Sequence, residues 1–148
     1  MKSLFNPNDN KEILGRIDLL TADTKAEWGK MDVAKMVTHT QVPLKVAFEE
    51  VKLKRGLIGI LFGRMALKQL SDDKPFKRNL PTDKNFIVTN DPDFEKEKNN
   101  LAALVQRFGK SENSLTKEAH PFFGKMTVKE WDNLMWKHLD HHLRQFGV

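Results

Sequence analysis

The sequence predicts an all-α protein, an up-and-down four-helix bundle with one long irregular connection, built as a single domain over residues 1–148. Three observations predict it. Four segments carry apolar residues at the three-and-four spacing of a helix, with capping residues at several of their ends. Nothing strand-rich is long enough to compete. The chain is 148 residues with 39% apolar and 30% charged side chains, which supplies one real core. A chain of this size buries roughly 70% of its unfolded surface, so disorder throughout is excluded.

The first periodic segment runs from about Asn10 to Leu20, with Ile13, Leu14, Ile17 and Leu20 in register. Thr24 and Glu27 fit a capping box for a short turn carrying Trp28, which Gly29 ends. Asp32 is a good N-cap for the second helix, whose stripe is Val33, Met36, Val37, Thr40, Leu44, Ala47, Phe48 and Val51. Pro43 lies inside it and predicts a kink about a turn earlier. Residues 52–90 are the least regular part, punctuated by Gly56, Gly59, Gly63, Pro75 and Pro81. A short helix fits Leu57 to Leu70, and Phe86 to Thr89 reads as a short extended piece. Asp91-Pro92 then opens a helix with the stripe Phe94, Leu101, Leu104, Val105 and Phe108, stopped by Gly109. Thr127 and Glu130 form a capping box for the last helix, which runs to about Phe146.

Composition removes several chemistries. There is no Cys, so disulfides, thiolate zinc sites, iron–sulfur clusters and cysteine nucleophiles are all excluded. The start of the chain lacks the apolar stretch of a signal peptide, and the longest apolar run, Leu57 to Phe62, is interrupted by Gly59. That run is far short of the ~20 residues that span a bilayer. A cytoplasmic protein with no membrane partner is expected. The net charge is +5, but its basic clusters, Lys52, Lys54, Arg55 and Lys74, Lys77, Arg78, carry no nucleic-acid motif. They read as solvated surface, and no nucleic-acid partner is expected.

The chemistry-bearing residues are histidines, at positions 39, 120, 138, 141 and 142. Residues four apart on a helix are neighbours, so His138 and His142 can aim at one ion. At about 100° per residue, Val128, Met135, Leu139 and Phe146 share one side of the last helix, and Trp131, His142 and His138 follow its edge. His141 falls further round. A catalytic zinc-type site uses three protein ligands and an open position. The third must come from another helix, and His39 is the candidate by its mid-helix place, although the wheel sets it well off the main stripe. The pattern is not that of a HExxH metalloprotease, because Leu139 follows His138. Asp140 points away from His138 and reads as a solvated carboxylate. His120 precedes Pro121 in a loop and reads as a turn or capping residue. Free imidazole titrates near 6.5, so a three-histidine site is expected to shed its ion as pH falls through roughly 6 to 5.

Taken together, the residues resemble the DinB/YfiT-like superfamily of small four-helix metalloproteins, and most closely an uncharacterised branch of unknown function. The similarity covers nearly the whole chain. It is carried by Trp28-Gly29-Lys30-Met31 leading to Met36-Val37-Thr38-His39, by Asn79-Leu80-Pro81-Thr82, and by His120-Pro121-Phe122-Phe123-Gly124 before Thr127 to Trp131. The closing His138-Leu139-Asp140-His141-His142-Leu143-Arg144-Gln145-Phe146 is similar to the superfamily's HxxHH-x-x-Q ending. The resemblance implies a divalent metal, usually zinc or nickel, on His39, His138 and His142. Characterised relatives include transferases that join a low-molecular-weight thiol to an electrophile, and a thiol-dependent isomerase.

The leading expectation is therefore a metal-dependent enzyme that transfers a small thiol to an electrophilic small-molecule substrate. The thiol has to come from a co-substrate, since the protein has none. Residues 52–90 are the expected roof of the site, with Lys52, Lys54 and Arg55 available to an anionic co-substrate. The alternative is a non-catalytic metal-binding or structural bundle, favoured by the lack of an identifiable acid–base residue beside the histidine pair. A third reading makes Leu57 to Leu70, with Arg64 and Lys68, an amphipathic surface helix for a membrane or partner; its glycines and lack of Trp argue against it. A homodimer is left open.

Overall fold

The computed structural model describes residues 1–54, 56–72, 74–82 and 84–148. The described residues hold five α-helices: α1 (Pro7–Asp18), α2 (Val33–Ala47), α3 (Leu57–Lys68), α4 (Phe94–Gly109) and α5 (Val128–Gln145). Short 3-10 turns at Gln69–Ser71 and Lys84–Phe86 interrupt the connection between α3 and α4. The one β pairing among the described residues is an isolated bridge between His120 and Gly124. No described helix is long and apolar enough to cross a membrane.

The helices start where side chains satisfy their free amides. Asp32 caps α2 through Lys35 N–H at 2.7 Å. At α5 both halves of the Thr127–Glu130 capping box are made. Four local expectations fail. α1 begins earlier than the apolar spacing suggested, because Asn6 accepts from the amides of Asn8 and Asp9 while Pro7 takes a position that needs no N–H. α4 is capped by Asp93 and not by Asp91; its carboxylate accepts from Lys96 N–H at 2.8 Å. Thr24 does not cap a turn at Glu27. Its hydroxyl accepts from Thr21 N–H at 2.9 Å, and Glu27 N–H instead reaches Gln145 C=O at 2.8 Å. The extended piece expected at residues 86–89 has no partner strand among the described residues, and Phe86 closes a 3-10 turn.

α2 packs against both α4 and α5, and α1 against both α4 and α5. These four helices share a core that includes Ile13, Met36, Leu101, Phe108, Trp131 and Leu139. Each such side chain contributes roughly 1.5–3 kcal/mol by leaving water. Buried polar groups stitch the edges: Asn10 Nδ2 donates to the carbonyls of Leu4 and Val105 at 3.0 Å each, and Asp132 accepts from Leu4 N–H at 2.8 Å. α3 stands outside this group. Its own 3-10 turn, Gln69–Ser71, leans on α5, and Gly59 and Gly63 lie against the backbone of Pro121–Phe123.

Candidate metal centre

His138 and His142 are one turn apart on α5, and His39 comes from the middle of α2. One ring nitrogen of each lies within 4.8 Å of the other two, and no carboxylate joins the group among the described residues. His39 Nε2 and His138 Nε2 are 3.0 Å apart. With metal–nitrogen bonds of 2.0–2.1 Å, tetrahedral ligand nitrogens stand about 3.3 Å apart, so this pair already has the spacing of two ligands. The structure thus brings together the three residues singled out in the sequence.

His39 is 4% exposed although its helical wheel placed it off the apolar stripe. The reason is that α2 is covered from two directions, by α4 and by α5. Ten of its 15 residues are buried, so its inward arc is far wider than a single stripe. Pro43 adds a local effect. It has no N–H to give the carbonyl four residues earlier, which is that of His39 itself.

The remaining ring nitrogens fix which atom faces the centre. His39 Nδ1 lies 2.9 Å from Phe86 C=O, an acceptor only, so Nδ1 carries the proton and Nε2 is the bare nitrogen. For His142 the deduction runs through Gln145. The Gln145 amide nitrogen donates to Trp28 C=O at 2.8 Å, which leaves its oxygen to accept from His142 Nδ1 at 2.8 Å. His142 Nε2 is then also bare. Gln145 can hold this position because Gly29 has no side chain. A Cβ there would stand 2.5 Å from the Gln145 amide nitrogen, and the backbone at Gly29 has φ +85°.

Burial keeps the cluster uncharged. It pushes the His39 imidazole down, against the opposing effect of the Phe86 carbonyl. Burial, reinforced by the neighbouring histidines, pushes His138 well below 6.5. Burial first, and then His39, take His142 down to about 3 despite its bond to Gln145. All three are neutral at pH 7, the form that binds metal, and they resist protonation to lower pH than free imidazole does.

The other histidines have different work. His141 is half-buried outside the trio, its ring 6.0 Å from those of Trp28 and Phe76 and 5.1 Å from His142. His120 is a turn residue as expected: its Nδ1 accepts from the amides of Phe122 and Phe123 at 3.0 and 3.2 Å. Asp140 is not merely solvated. Arg16 donates to it at 2.8 Å.

Part of the expected roof is in place, contributed by the stretch after α3. Phe86 supplies the carbonyl on His39, Phe76 meets His141, and the Arg78 guanidinium lies 4.1 Å from the Trp28 ring centroid. Lys52 and Lys54 are exposed, and Arg55 lies outside the described residues. Sequence reasoning gave no role to the Phe86 carbonyl, read Gly29 only as the end of a turn, and assigned Gln145 no contact. The only signal for Gln145 was its place three residues after His142 in the closing motif.

The model of a family described as "Protein of unknown function (DUF1569)" matches residues 6–147. No curated protein and no solved structure matches the chain.

Proposed function

We propose a metal-dependent function for this chain, which belongs to the DUF1569 family: one divalent ion, zinc or nickel, held by the Nε2 atoms of His39, His138 and His142, serving chemistry on a small-molecule substrate. The observation that carries the proposal is the matched pair of outer partners. Phe86 C=O and Gln145 Oε1 each take the Nδ1 proton of a histidine and leave Nε2 bare toward the same point. In the absence of an ion, His39 Nε2 and His138 Nε2, 3.0 Å apart, are paired by a single hydrogen bond, which an ion would replace.

A divalent ion bound there would act as a Lewis acid, lowering the pKa of a thiol or water that reaches it. The chain's own contribution is the donor set. Three neutral imidazoles leave the ion its full charge, and burial excludes the competing protons. The resemblance to DinB/YfiT-like proteins supports an up-and-down bundle of that type and a low-molecular-weight thiol as co-substrate; with no Cys in the chain, that thiol comes from solution. Trp28, Phe76 and His141 supply an aromatic rim, and Arg78 over Trp28 offers a cation to an anionic co-substrate.

The test is elemental analysis of protein purified without an affinity tag, followed by cobalt substitution and titration with a small thiol. One ion per chain and a thiolate-to-cobalt absorption band support the reading. A second reading, a structural ion in a non-catalytic bundle, is favoured by the absence of a carboxylate beside the trio among the described residues. A cobalt spectrum indifferent to every added thiol would select it.

A further inference from the structure

α3 is built inside out. Gly59, Gly63 and Leu67 are its buried positions, spaced four apart on one face. A Cβ at Gly63 would come within 2.0 Å of Phe122 C=O, so the helix touches the body of the protein through its glycines. The large apolar side chains are thereby turned outward. Leu57 is 79% exposed, Leu61 73%, Ile58 69%, Met65 63%, Ile60 54% and Phe62 50%. A contiguous apolar face of this kind on one 12-residue helix marks a binding surface. The glycines that spoke against an amphipathic surface helix in the sequence are what creates it.

The charges around the face choose the occupant. From Val51 to Ser71 there are five cationic residues and no Asp or Glu. Lys52 and Lys54 precede the helix, and Arg64 and Lys68 lie on its outer face beside Leu57, between Ile60 and Leu61; all four are exposed. Arg64 also donates to Lys125 C=O at 3.1 Å, which adds another exposed lysine to the surroundings. Two copies meeting through α3 would bring these cations against their equivalents, a like-charge contact with no acid inside the segment to relieve it. An anionic surface with an apolar interior satisfies both features at once. We propose that α3 is an interfacial helix that seats the protein on an anionic phospholipid surface, with Leu57, Ile58, Leu61, Phe62 and Met65 entering the headgroup–acyl boundary and Arg64 and Lys68 reaching lipid phosphates along their apolar stems.

The test is flotation of the full chain with vesicles of phosphatidylcholine alone and of phosphatidylcholine mixed with phosphatidylserine. The wild type is expected to float with the mixed vesicles, poorly with the neutral ones, and less as salt rises. Leu61→Glu combined with Met65→Glu removes two fully outward side chains and is expected to weaken binding by more than about tenfold. Arg64→Gln with Lys68→Gln leaves the apolar face intact and is expected to weaken it about 25-fold, from about fivefold per cation. Circular dichroism checks that each variant keeps its helix content. Failure of the wild type to float overturns the proposal, and so does equal binding to both vesicle types. A wild type that is dimeric in sedimentation equilibrium, fails to float and becomes monomeric in the Leu61→Glu, Met65→Glu variant assigns the face to a second copy instead.

Discussion

Replacing Gln145 separates the stability of the centre from its affinity for metal. The side chain is 3% exposed and makes two hydrogen bonds of 2.8 Å, one from His142 Nδ1 and one to Trp28 C=O. Gln145→Leu removes both at nearly constant volume. The imidazole N–H left behind is buried, and an unsatisfied buried donor costs about 1–3 kcal/mol of folding stability. The ring is then free to change tautomer and direction. Loss of an outer partner of this type weakens metal binding by about 10–100-fold, or about 1.4–2.7 kcal/mol. Gln145→Glu behaves differently. Its carboxylate keeps an acceptor on His142 Nδ1 but sets a charge against the Trp28 carbonyl it no longer serves. Stability is expected to fall in both variants, while zinc affinity falls only in the leucine variant and holds or rises in the glutamate variant. Competition against a chromophoric chelator at pH 7, with urea unfolding in parallel, measures the two quantities. Wild-type zinc affinity in Gln145→Leu, or an equal loss in both variants, would refute the deduced proton positions.

Other expectations follow from the same geometry. His39→Ala, His138→Ala and His142→Ala each leave two imidazoles of a three-ligand site and should abolish stoichiometric zinc, whereas His141→Ala should retain it; elemental analysis decides. In metal-free protein burial pushes the folded His142 down to about 3, against an unfolded value near 6.5, so below pH 6.5 the unfolded chain is expected to bind a proton that the folded chain refuses. Stability is then lost as pH falls, by about 2 kcal/mol between pH 6.5 and 5 from His142, with His39 and His138 acting in the same direction. Urea midpoints measured with chelator present should drop accordingly, and a midpoint that is flat across this range would contradict the burial of the cluster. Gly63→Ala places a Cβ 2.0 Å from Phe122 C=O and should destabilise the docking of α3 by about 1–3 kcal/mol, more than the helix-propensity gain returns. Hydrogen exchange of the α3 amides should rise sharply, and unchanged protection would show that the contact is not a tight one.

The parts of the fold that were legible in the sequence are those set by short-range chemistry. α5 was readable because its apolar spacing, its capping box and its histidine pair all fall on one helix. His39 was not readable from periodicity, since a helix covered on two sides has no single stripe to be in phase with. Capping patterns were ambiguous where two acceptors compete, as at Asp91 and Asp93, or where Thr24 finds a partner nearer than Glu27. The partners of the ligands were least visible. Gln145 meets a carbonyl 117 positions away and His39 one 47 positions away, and neither distance leaves a trace in local pattern. The outward face of α3 was hidden for a further reason. Glycine reads as a helix breaker, and only packing shows that here it is the point of contact.

The group that fixes His39 is a main-chain oxygen, at Phe86. Every amino acid supplies that atom, so no side-chain replacement at position 86 can delete it. What holds the ligand is the path of the connection and not its lettering. Arg78 and Phe76 on the same connection can therefore change identity without resetting the ligand's proton, provided the path is kept. Insertions or deletions between α3 and α4 would displace that carbonyl, whereas side-chain replacements along the connection would leave it in place.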